Sequence, residues 1–269
     1  MSARRFGLGL LSISLLVMTL PGCDSSEKAA PPVSASQLQT NFENAVTRGN
    51  DEAAVVIART LNQRYPSSPE ASAVNTKLPQ VQARAQVRRD ELKAAADKSA
   101  KEVREKSAAQ FKTLLTRMAR SQDDVEHITW FEPKANRARA GATTYATLYV
   151  GLSDAGSVWL RTRMQYGGSD WIFFERLKFS IDGTTLPAKP FGYFNVKRDN
   201  SSGDVWEWID LAVEDDALPL MEKLAEGKTV GIRFEGKYYQ DLKLSGAMKQ
   251  SMRDALDLYQ LMKRGLRPS

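Results

Sequence analysis

SVWLRTRMQYGGSDWIFFERLKFSI, residues 157–181, decides how the second half of this chain folds. Across residues 157–166, Val158, Leu160, Thr162 and Met164 alternate with Trp159, Arg161, Arg163 and Gln165. A period of two places successive side chains on opposite faces of a strand. GGSD then supplies turn residues, and 171–181 reads as a second strand, so the short connection predicts antiparallel neighbours. Working outward, the same texture predicts strands near 127–132, 143–151, 191–198 and 204–213, with SDAG and DNSSGD as further turns. A helix over 215–226 opens on Asp215 and Asp216 and closes at Gly227, as the helix dipole and cap preferences favour. The strand pair KTVGIRFEG and YYQDLKLS leads to a last helix that Ser245 caps and Gly265 ends. Its apolar stripe of Met248, Met252, Ala255, Leu256, Tyr259 and Met262 is expected to dock on the sheet.

The first half reads differently. From Ser36 to Arg120 glycine is scarce and Ala, Gln, Arg, Lys and Glu abound, a helical composition. SQLQTNFENAVTRG places Leu38, Phe42, Ala45 and Val46 on one stripe and stops at Gly49. Asn50 or Asp51 caps a second helix with Ala54, Ile57, Ala58 and Leu61 on its apolar side, ended by Tyr65-Pro66. After Pro79 a long helix is expected to run to about Arg120, thin in apolar residues at its centre and richer at Val103, Phe111, Leu114, Leu115 and Met118. Such a helix is a spacer or a pairing element; without a strict heptad, the spacer is preferred.

The predicted fold class is therefore α+β: a helical hairpin and a long helix, then an antiparallel β-meander domain with two helices, the last packing on the sheet. NDEAAVVIARTLNQRYPSSPEA, residues 50–71, resembles part of a tetratricopeptide-type helical hairpin, although only one such unit is visible. ITWFEP, TLYVGL, LRTRMQYGGSDWIFFERLKFSIDG, RDNSSGDVWEWID and VGIRFEGKYYQDLKLS, in that order and spacing, resemble an uncharacterised domain family of secreted and lipoprotein-type bacterial proteins, some of them phage-associated. The resemblance covers about half the chain; it implies an α+β domain and carries no catalytic residues over.

At the other end, basic MSARR precedes FGLGLLSISLLVMTL, an apolar run too short for a comfortable membrane span but suited to a secretory signal. Leu20, Pro21, Gly22 and Cys23 resemble the lipobox of bacterial lipoproteins, whose cysteine is acylated on sulfur and becomes the new N-terminus. The resemblance gives the only cysteine of the chain a purpose, since a lone thiol in an oxidising compartment cannot staple its own fold. The alternative is an ordinary secretory signal followed by a stray thiol. The expected organisation is a signal peptide over 1–22, a Ser/Ala/Pro-rich tether over 23–35, a helical region over 36–120 and an α+β domain over 121–269. The expected location is the cell envelope, lipid-anchored and facing the periplasm, with Asp24 slightly favouring the inner membrane.

Composition closes several chemistries. One histidine, His127, and one cysteine leave no Cys/His zinc site, and a Ser-His-Asp arrangement needs His127 as its base. No Walker loop, dinucleotide fingerprint, EF-hand loop or G-x-S-x-G elbow is present. No cofactor and no nucleic-acid partner are expected. Basic residues concentrate near the anchor, about 15 Lys and Arg against about 9 acids over residues 31–120, and then balance at about 20 against 21. That excess suits anionic headgroups or, equally, a solvated helical face.

The candidate binding face is Trp159, Arg161 and Arg163 with Trp206 and Trp208 of DVWEWID, which share one surface if the two strands share a sheet. The competing reading packs the arginine stems over the tryptophans or buries them under the terminal helix. Glu175 and Glu207 are either a pair for acid–base chemistry or partners of Arg161, Arg163 or Arg176. Asp170 is assigned turn duty, Arg233 and Asp241 a salt bridge, and His127 either a structural role or orientation by Asp124. The resulting expectation is a non-enzymatic, membrane-anchored envelope lipoprotein that binds a protein partner, in one version an immunity or exclusion factor. The alternative is an envelope hydrolase using strand carboxylates.

Overall fold

The computed structural model describes residues 33–137, 143–190 and 195–268, and the chain divides into two units at Ala94/Ala95. The leader, Cys23, Asp24 and most of the tether lie outside the described residues.

In the N-terminal unit, α1 (Ala35–Thr47) and α2 (Asp51–Arg64) pack on the first turns of α3 (Pro69–Arg117). Each start is capped by a side chain: Ser34 accepts from Gln37 N–H, Asn50 from Ala53 N–H and Ser68 from Ala71 N–H. Gly49, at φ 69°, makes the turn between α1 and α2. Leu38, Phe42, Ala54, Ala58, Leu61, Val74 and Val81 are buried together. Outside this core Arg84 forks onto Asp51 at 2.7 and 3.1 Å, and that hydrogen bonding holds the Asp51 carboxyl below its ordinary value.

The long helix starts ten residues earlier than expected and runs through Pro79. Val74, Leu78 and Val81 pack into the core on both sides of the proline, so packing outweighs the one backbone bond a proline removes. From residue 86 to 106 every side chain of α3 is exposed, as its thin apolar pattern implies. The helix ends at Arg117 rather than Arg120.

The C-terminal unit holds two antiparallel sheets. The first, in spatial order, is β1 (Met118–Asp123), β2 (Ile128–Pro133), β3 (Tyr145–Ser153), β4 (Val158–Gly168), β8 (Asp204–Ala212) and β7 (Lys197–Ser201). The second is β10 (Tyr239–Lys243), β9 (Val230–Glu235), β5 (Arg176–Ile181) and β6 (Thr184–Pro190). A single-turn helix α4 (Lys134–Arg137), α5 (Leu218–Glu226) and α6 (Gly246–Lys263) complete the unit. The α+β class is as the sequence predicts.

The decisive stretch departs from its reading. β4 and β5 do not pair; they belong to different sheets, and residues 171–175 are not strand. SDAG and DNSSGD do join paired neighbours, β3 with β4 and β7 with β8. Two further strands were not anticipated. β1 has helical composition but buries Met118 and Ala119 and pairs with β2, so tertiary pairing overrides propensity. β6 contains Pro187 and Pro190, which suit an edge strand. Of the expected strand at 191–198, residues 191–194 lie outside the described residues and β7 begins at Lys197. Asp215 and Asp216 form a turn before α5, whose start is set by Pro219 in the first helical turn.

α6 is capped by Ser245, which accepts from Met248 N–H at 3.1 Å, and packs on β2, β3, β4 and α5. Beyond the expected stripe it buries Ser251, Asp254, Leu258 and Leu261. That side meets the end of α3, where Arg117 pairs with Asp254 at 3.0 Å and Phe111 and Leu114 join the core. Fully burying a Leu, Met or Phe side chain contributes about 1.5–3 kcal/mol, so this helix is a principal source of stability.

Candidate functional site

The strand register gathers the expected face. On β4, Trp159, Arg161, Arg163 and Gln165 point away from the core; β8 sets Asp210 opposite Arg163, Trp208 opposite Gln165 and Trp206 opposite Gly167. On the other side β3 sets Gly151 opposite Trp159 and Tyr149 opposite Arg161, and Trp130 of β2 lies opposite Gly151. All five predicted residues therefore share one sheet face, partly exposed, and α6 covers the other side. Trp130, Tyr149 and Asp210 are the members that sequence reasoning missed. Their signal was present in the alternation of ITWFEP, TLYVGL and DVWEWID.

The face is held together internally. Trp130 and Trp159 meet edge to face at 5.7 Å across Gly151, where an added Cβ would lie 2.5 Å from the Trp159 ring. Arg161 donates from Nε to Asp210 Oδ1 and to the Tyr149 hydroxyl, both at 2.9 Å, and Tyr149 donates to Asp210 at 2.6 Å. Burial, reinforced by that bond to Asp210, raises the Tyr149 phenol well above its ordinary value, so it stays a donor. The Arg163 guanidinium lies 4.8 Å from the Trp208 ring and donates to Gln165 at 2.8 Å, while its Nε is buried without a hydrogen-bond partner. The stacking of arginine over tryptophan is the arrangement the competing reading described. A cleft of about 270 Å³ opens beside it, lined by Ser121, Trp130, Glu132, Thr147, Tyr149, Arg163 and Asp210.

Glu207 has a different task from either one anticipated. It points to the core side of β8, is fully buried, and accepts from three successive backbone N–H groups: Ile172 at 2.8, Phe173 at 2.7 and Phe174 at 2.9 Å. Its ion-pair partner is Arg198, at 3.2 Å, not Arg161, Arg163 or Arg176. Glu175 is exposed, so the two carboxylates occupy opposite environments. Arg176 instead pairs with Glu235, as does Lys178 at 2.9 Å. Arg233 and Asp241 form the expected bridge, bidentate at 2.7 and 2.8 Å, which holds Asp241 below its ordinary value. Asp170 accepts from Trp171 N–H, the turn role assigned to it. His127 lies in a turn at φ 54° and is highly exposed; its neighbour is Asp154 at 3.6 Å rather than Asp124.

Chemically, the face offers aromatic surface beside a neutralised Arg–Asp pair, and the Tyr149 phenol proton is already committed to Asp210. Among the described residues no group of three or more His, Cys, Asp or Glu is arranged to hold a metal, and no helix is long and apolar enough to cross a membrane. Comparison of the chain with protein-family models, with curated proteins and with solved structures finds no match.

Proposed function

We propose that the chain is a bacterial envelope lipoprotein, anchored through acylated Cys23, whose C-terminal unit binds a protein partner without catalysing a reaction. The observation that carries the binding half is the outer face of the six-stranded sheet. It leaves Trp130, Trp159, Trp206 and Trp208 partly exposed beside Arg161 and Arg163, a composition enriched where proteins bind proteins. The anchoring half is supported by the leader and the LPGC sequence. The resemblance to a domain found in phage-associated proteins supports a narrower version, an immunity or exclusion factor. The hydrolase reading is weakened by the engagement of Glu207 with three amides and Arg198.

Mass spectrometry of the membrane-extracted chain tests the anchor: the account expects a mature N-terminus at Cys23 carrying a diacylglyceryl thioether. A bare sulfur, or a leader still attached, contradicts it. For the face, replacing Trp159, Trp206 and Trp208 together by alanine in folded protein is expected to abolish photo-crosslinking to a partner from a probe at Arg163. An unchanged adduct contradicts the assignment.

A further inference from the structure

The solvent side of the second sheet has a hollow where a side chain is missing. β9 alternates buried Val230, Ile232 and Phe234 with outward Gly231, Arg233 and Glu235. Strand pairing sets Ser180 of β5 and Lys243 of β10 on either side of Gly231, and Thr185 of β6 beyond Ser180. One row along the same face, Lys178 and Asp241 flank Arg233. Together these residues line a trough of about 300 Å³.

The fold itself does not require glycine at 231. Its φ is not positive, both ladders of β9 pass through it without a register shift, and an added Cβ would meet only the Ser180 Cβ, at 3.9 Å. Glycine inside a strand weakens it, and away from bulges and tight bends it marks the close approach of a backbone or a ligand. Among the described residues no backbone comes within 4 Å of that Cβ position, which leaves a ligand. Lys178, on the next row, lies where the β5–β6 pairing shifts from Leu177 with Lys189 to Phe179 with Leu186, an irregularity of the kind that re-aims side chains beside functional sites.

We propose that the trough over Gly231 binds the phosphate group of a phosphate ester, at a site separate from the tryptophan face. The lining sets the sign of the ligand: Lys178, Arg233 and Lys243 border the trough against one carboxylate, Asp241. That carboxylate is already neutralised, because Arg233 holds both of its oxygens, at 2.7 and 2.8 Å. The same pair, with the Tyr239 ring 4.3 Å away, occupies the only guanidinium in the lining, the group best matched to a planar carboxylate ligand. What remains is Lys243, without an ion-pair partner among the described residues, Lys178, one of whose donors goes to Glu235 at 2.9 Å, and the Ser180 and Thr185 hydroxyls. Ammonium groups and hydroxyls standing on three strands suit a tetrahedral oxyanion. A phospholipid headgroup and a soluble phosphate ester share that chemistry.

The test uses the full-length chain purified in dodecyl maltoside and titrated by calorimetry with glycerol 3-phosphate, with phosphatidylglycerol presented in the same micelles, and with acetate. The expected result is saturable binding of at least one phosphate ester, weakened about tenfold or more in Lys243→Gln by loss of a charge-assisted hydrogen bond. Gly231→Val fills the trough with a strand-favouring side chain, so it is expected to abolish binding while the unfolding midpoint stays at or above that of the parent. Tighter binding of phosphatidylglycerol supports the inference with a lipid headgroup as ligand; equal or tighter binding of glycerol 3-phosphate supports it with a soluble ester. No binding of either ester, binding indifferent to either substitution, or acetate bound as tightly as the esters overturns it. A midpoint lowered by Gly231→Val also overturns it, because the glycine would then serve the fold.

Discussion

Glu207 accepts the Phe173 N–H at 2.7 Å, within the segment that connects the two sheets. A carboxylate on the core side of β8 takes the amides of Ile172, Phe173 and Phe174, none of which lies in a strand. Between Gly168 and Arg176 the chain leaves the first sheet, and β5 pairs with β9 and β6 in the second.

Replacing Glu207 by glutamine should therefore be costly despite its similar shape. The amide group presents donors to backbone N–H donors and deprives the partly exposed Arg198 of its anion, a loss of about 1–3 kcal/mol for leaving buried polar groups unsatisfied. Urea unfolding measures it directly; a change under about 0.5 kcal/mol would show that the clamp holds nothing.

Gly236→Ala and Gly151→Ala test two close approaches. The first drives a Cβ into the Phe173 backbone and the second into the rings of Trp159 and Trp130. Each is expected to destabilise by about 1–3 kcal/mol, as overpacking does. Gly151→Ala should also shift tryptophan fluorescence, because its clash is directly with the indoles of Trp159 and Trp130.

Tyr149 sets an alkaline limit. Its phenol is raised by burial and by Asp210, so the folded state resists losing that proton while the unfolded chain releases it near pH 10. The sign follows: stability is unaffected below the unfolded value and declines as pH rises above it. Tyr149→Phe should remove part of that decline in a comparison of unfolding free energies at pH 8 and pH 11.

In the N-terminal unit, Asn50→Ala removes the cap that receives Ala53 N–H at 3.1 Å. The expected cost is about 1 kcal/mol by thermal unfolding, and Asn50→Asp should restore it.

Much of the fold was legible because its signals are local. Gly49, Asn50, Tyr65-Pro66, Ser245 and Gly265 mark boundaries through backbone chemistry that needs no partner, and alternation sorts the side chains of β4 and of β8 onto two sides each, which become one shared face through the β4–β8 pairing. The rest depends on contacts distant in sequence. The clamp on residues 172–174 comes from Glu207, thirty-odd residues downstream; alternation in DVWEWID places that glutamate on the Val205 and Ile209 side but does not name the amides it meets. β1 and β6 are edge strands whose composition suits helix and turn; pairing defines them. Arg161 was legible as an outward arginine, but its capture by Asp210 and Tyr149 requires the order of β3, β4 and β8.

The central claim is that the outer face of the six-stranded sheet binds a protein partner, and photo-crosslinking from a probe at Arg163, compared between the parent chain and the variant with Trp159, Trp206 and Trp208 replaced by alanine, tests it most directly. The account predicts a discrete protein adduct in the parent that is lost in the folded triple variant. An adduct of equal yield in both would contradict it.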